Sequence, residues 1–69
     1  MTQKELAYTE DAIGHEKNII SIIEETIKKL EDENLIDFLN EELISHKETK
    51  EKLLNMLEVK ANEWQITYG

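Results

Sequence analysis

Glu16, Glu42 and His46 are the residues of this 69-residue chain whose types and spacing could support chemistry. A carboxylate and an imidazole can share a proton or close on a metal ion. Glu42 and His46 stand i to i+4, so one face of a helix would present both. Asp11 and His15 repeat that spacing, and for either pair a hydrogen bond along the helix surface competes with a ligand set. Other chemistries find less. The chain has no cysteine, Ser21 and Ser45 lack nucleophile-elbow surroundings, and no glycine-rich phosphate loop is present. Glu41 and Glu42 supply carboxylates without an apolar pocket that would separate an acid from a base. The expectation is a protein that is not an enzyme and carries no cofactor, with a metal ion entering only in the alternative built on Glu16, Glu42 and His46.

Two helices must position these residues. Thr2 and Glu5 have capping-box spacing, which starts the first helix near Gln3 and predicts it over about 3–31. Leu6, Ile13, Ile20, Ile23, Ile27 and Leu30 form its apolar stripe, widened by Tyr8, Ala12, Ile19 and Ile22. Glu24 with Lys28, Glu25 with Lys29 and, later, Glu48 with Lys52 are spaced for supporting i to i+4 pairs. Gly14, costly inside a helix, predicts a close backbone approach. Residues 31–34, Glu-Asp-Glu-Asn, interrupt the period with a turn at about 32–34, and Asn34 is placed to cap the second helix. That helix is predicted over about 35–63, with Leu35, Ile36, Leu39, Leu43, His46, Leu53, Met56 and Leu57 at helical spacing. An irregular tail then carries Trp64 and Tyr68, either capping the bundle end or docking a partner. So short a connection makes the helices antiparallel neighbours within one domain, 1–69.

That hairpin puts polar residues in core register. Glu16 falls between Ile13 and Ile20, His46 between Leu43 and Leu53, and Thr49 or Lys50 comes next. Burying a carboxylate and an imidazole is expensive unless they are paired or hold an ion. Three explanations stand: a structural layer in which Glu16 pairs with His46, Lys50 or Thr49; a metal site using Glu16 and His46 with Glu42, His15 or Asp11; or a wider stripe whose polar members reach water.

Composition narrows the partners. Sixteen acidic residues against eight lysines give a formal net charge of −8, spread along both halves, so phosphate backbones and anionic membranes are poor partners. Neither a basic, apolar secretory leader nor a run long enough to span a membrane opens or crosses the chain, and the expectation is a soluble, intracellular protein. A domain this small buries a limited fraction of its surface, and with no cysteine to form a disulfide or thiolate cage, oligomerisation is the remaining support. The predicted architecture is therefore all-α, an antiparallel two-helix hairpin completing a four-helix bundle by dimerisation. A partner helix lying in a groove of a monomeric hairpin is the competing interaction reading.

The run Leu6-Ala7-Tyr8-Thr9-Glu10-Asp11-Ala12-Ile13-Gly14-His15-Glu16-Lys17, the Asp32-Glu33-Asn34-Leu35 turn, and Phe38-Leu39 before His46 resemble small spore-coat-type proteins of the ferritin-like superfamily. In metal-binding members of that superfamily the first helix supplies a core glutamate and the second a Glu-x-x-His pair as di-iron ligands. By that resemblance Glu16 holds the first position. His46 stands in place of the second glutamate and Thr49 in place of the histidine. The substitution removes the carboxylate–histidine pair, so the resemblance implies a bundle with a structural polar layer, acting in assembly as a homo-oligomer or with a protein partner, cytoplasmic or spore-associated. The alternative is a ferritin-like metal-binding bundle whose site is assembled across an oligomer.

Overall fold

The computed structural model describes the backbone of residues 1–68 and the side chains of residues 1–60. Two helices account for it: α1 spans Gln3–Ile27 and α2 spans Glu33–Tyr68. The start of α1 is set by the capping box. The Thr2 N–H donates to Glu5 Oε1 at 2.8 Å and the Glu5 N–H donates to the Thr2 hydroxyl at 3.1 Å. The Thr2 N–H first, and the nearby Thr2 hydroxyl second, hold the Glu5 carboxyl below its ordinary value.

The first helix stops at Ile27, four residues short of the expected end near 31. Its last turn tightens into i to i+3 bonds, Lys29 N–H to Thr26 O at 3.0 Å and Leu30 N–H to Ile27 O at 3.3 Å. Asp32 then caps α2, not Asn34. Its carboxylate accepts from the Leu35 N–H at 3.1 Å and its carbonyl from the Ile36 N–H at 3.0 Å. A short carboxylate at the N-cap satisfies an orphan amide and opposes the positive end of the helix, which an amide side chain does less well. This early cap forces α1 to end early.

Because Lys28 and Lys29 fall past the helix, the expected Glu24–Lys28 and Glu25–Lys29 pairs do not form. Lys28 instead reaches Glu25 at 3.3 Å on the exposed surface, a contact worth a few tenths of a kcal/mol at most, about the level of exposed helix pairs. No bond joins Glu48 to Lys52 among the described residues. The tail expected to be irregular beyond about 63 is helical backbone to Tyr68. No proline or glycine intervenes between Leu35 and Tyr68 to stop the helix. The expectation that Trp64 caps or docks falls outside the described side chains.

The helices pack against each other as an antiparallel hairpin 54 Å long and 16 × 13 Å across. Both carry the same 3–4 alternation: Leu6, Thr9, Ile13, Glu16, Ile20, Ile23 and Ile27 on α1, continued by Leu30 just past its end, and Ile36, Leu39, Leu43, His46, Lys50, Leu53, Leu57 and Lys60 on α2. Apart from Leu6, every one of these is buried or half-buried. This is the spacing of a coiled-coil seam. Only Ile13, Ile20 and Ile23 are buried among the described residues, each still 6–8% exposed. At about 1.5 Å per residue α2 outreaches α1 by roughly 16 Å, so its last turns extend beyond the start of α1.

The seam is narrower than the expected stripe. Tyr8, Ile22, Leu35 and Met56, assigned to it by periodicity, are each more than half exposed, whereas Leu54 is half-buried beside it. They belong to a second stripe, roughly 100° round each helix from the seam. In an antiparallel pair the residues that precede the seam's first positions lie on one side of both helices. Here these include Ala12, Ile19 and Thr26 on α1 and Glu42 on α2, which are half-buried, and Leu35, Thr49 and Met56 on α2, which are exposed. Of nine exposed large apolar side chains among the described residues, six stand on this flank: Tyr8, Ile22, Leu35, Phe38, Met56 and Val59. Met1 precedes α1, Leu6 lies in the seam, and Ile44 is alone on the opposite flank. Gly14 also lies away from the apolar flank, and a Cβ there would meet nothing within 4 Å. The close backbone approach predicted for it does not occur within the chain.

Candidate functional site: a polar clamp in the seam

Glu16 and His46 meet where the two seams cross their midpoint. With the proton on Nδ1, His46 donates to Glu16 Oε2 at 2.5 Å, across 30 residues of sequence. The side chains are partly screened, Glu16 retaining 15% and His46 28% of its exposure. Each helix brings its member in by the same rule: Glu16 follows Ile13 by three residues and His46 follows Leu43 by three, so both replace an apolar knob. A hydrogen bond between them satisfies the groups that this position would otherwise strand.

Glu42 lies on the other side of the ring, its Oε2 3.8 Å from His46 Nε2, beyond hydrogen-bond length. The sequence thus places all three candidate residues at one locus, and the structure brings them together. It arranges them around an imidazole and not around a common point: the carboxylates address opposite ring nitrogens, whose lone pairs diverge. Among the described residues no group of three or more acidic or histidine side chains is arranged to hold a metal ion.

The other residues weighed for this layer go elsewhere. The Thr49 hydroxyl donates to the Ser45 carbonyl at 3.1 Å, satisfied within its own helix. Lys50 is half-buried in the seam and makes no hydrogen bond or ion pair to Glu16. Asp11 and His15 are both exposed, and no hydrogen bond or ion pair joins them. Along α2 an open concavity is lined by Ile44, Lys47, Glu48, Glu51, Lys52 and Asn55.

A single broad stripe conceals the second apolar flank, though its signal is present in the sequence. Tyr8, Ala12, His15, Ile19, Ile22 and Thr26 repeat the 3–4 spacing beside the seam and carry no formal charge. No helix of the described residues is long and apolar enough to cross a membrane. No protein family, curated protein or solved structure matches this chain. What the site can do rests on its own geometry.

Proposed function

We propose that this chain is a non-enzymatic structural protein that acts by helical self-association, two hairpins completing a four-helix bundle. The observation that carries the reading is the imbalance between a core of three buried isoleucines and a flank of six exposed large apolar side chains. A compact monomer of 8.1 kDa exposes about 4,500 Å², whereas this hairpin exposes 5630 Å². Part of the surplus comes from the rod shape.

Within this reading the Glu16–His46 clamp sets alignment. A polar pair in an apolar seam adds little net stability but penalises slipped registers, in which each group would face a hydrocarbon neighbour. The likeness to small spore-coat-type proteins of the ferritin-like superfamily gives the assembly its proposed setting, a bacterial coat or related structure. Sedimentation velocity over a wide concentration range tests the reading. A dimer or larger species that dissociates on dilution is expected, and a monomer at every concentration contradicts it.

The alternative of a metal-binding bundle draws on the adjacency of Glu16, Glu42 and His46. Its site would be assembled across an oligomer. Metal analysis of protein purified without chelator, repeated on Glu16→Ala and His46→Ala, separates the two: stoichiometric metal lost in either variant supports the alternative.

A further inference from the structure

The apolar flank is ordered about a centre. Along α2 its stripe is balanced around Lys47: Leu35 against Val59, Phe38 against Met56, and Glu42 against Lys52, with the hydroxyls of Ser45 and Thr49 between. Along α1, Tyr8 and Ile22 are balanced around His15. The Glu16–His46 bond fixes the relative height of the helices, and at that alignment His15 and Lys47 stand level. The two centres therefore coincide at one height along the rod.

Resting on the self-association reading, we infer that a second copy docks on this flank about a two-fold axis crossing the hairpin at the height of His15 and Lys47. That operation lays each helix antiparallel on its own counterpart. Phe38 then meets the partner's Met56, Tyr8 meets the partner's Ile22, and Glu42 meets the partner's Lys52, each twice. An isologous interface requires this self-complementarity. Only two charges lie on the helical stripes of the flank between Tyr8 and Val59, and this axis pairs them with opposite sign.

A two-fold axis along the rod does worse. It lays α1 on the partner's α2 at equal heights, which brings Glu42 near the partner's Ile19 and leaves both charges against uncharged surface. Desolvating a charge without a partner is costly, so the crossing axis is favoured. Glu42 is free to turn outward, since its side chain is 44% exposed and its approach to His46 is 3.8 Å.

Charge exchange tests the axis. Glu42→Lys and Lys52→Glu each place like charges opposite one another twice in a homodimer, weakening self-association about tenfold if each contact carries the modest energy of an exposed pair. Mixed one to one, the two variants restore opposite charges at both contacts, and a heterodimer as tight as the wild-type dimer is expected. The rescue guards against either variant having merely misfolded, and helicity by circular dichroism checks each alone. Variants that self-associate as the wild type does, or a mixture with no gain, overturn this axis while a wild-type dimer leaves self-association standing. A wild-type chain that stays monomeric overturns both.

Discussion

The two long flanks of the hairpin are built from the same two helices, yet they differ in kind. One carries Tyr8, Ile22, Leu35, Phe38, Met56 and Val59 in the open, with Glu42 and Lys52 as its charges. The other carries Glu10, Lys17 and Glu24 from α1 and Asp37, Lys47, Glu51 and Glu58 from α2, with Ile44 as its one exposed large apolar residue among those described. A hairpin that needed only water around it would distribute these evenly. The asymmetry shows that each helix has two apolar directions: one is used in the seam, and the other is exposed, the face on which the proposed self-association rests.

The seam itself sets the largest effect. Ile20→Ala removes a residue 6% exposed and is expected to cost about 3 kcal/mol in denaturant unfolding, more than truncation of any flank residue costs the isolated hairpin. Next comes the contrast between flanks. Ile22→Lys is expected to weaken association by about 2 kcal/mol, the scale of an interface hot spot, while Ile44→Lys leaves it within about 0.5 kcal/mol. Equal losses measured by sedimentation equilibrium would erase the distinction between the faces.

The clamp gives a smaller change with a particular pattern. Glu16→Ala should cost about 1–2 kcal/mol by stranding His46. Glu16→Leu combined with His46→Leu should recover that stability while broadening the set of oligomers seen in native mass spectrometry. Gly14→Ala sharpens the comparison from the charged side. With nothing within 4 Å of the added methyl, it should stabilise by about 0.5–1 kcal/mol, and a loss instead would mean that this side is covered too. Smallest is the cap. Because the folded Glu5 carboxyl titrates below its ordinary value, its contribution is present above the unfolded value and lost as pH falls through the folded one. Glu5→Gln should flatten that acid-side loss of helicity.

Much of the fold is legible in residue types. The hairpin and the Thr2–Glu5 box come from spacing, but a turn near Glu33 would set Glu16 level with Thr49 or Lys50, and it is the earlier turn that brings His46 to Glu16. The division of the apolar surface does not come from spacing. Tyr8, Ile22, Leu35 and Met56 sit next to the seam on a helical wheel, and a 3.6-residue period merges neighbouring stripes that the 3–4 seam separates. Helix ends are misplaced where several cap residues compete: among Asp32, Glu33 and Asn34, only the hydrogen bonds decide. The lost Glu24 and Glu25 pairs result from that same early stop. The metal reading turns on the direction in which two carboxylates approach a ring, which spacing does not encode.

The central claim is that the hairpin is half of a structure, held together across one flank. Folding coupled to dimerisation makes thermal stability depend on protein concentration. The most direct measurement is therefore the Tm of the wild-type chain across a wide concentration range, with Phe38→Lys alongside it. A Tm that climbs with concentration in the wild type and stays flat and lower in Phe38→Lys is the predicted result. A concentration-independent Tm, the same for both proteins, would contradict it.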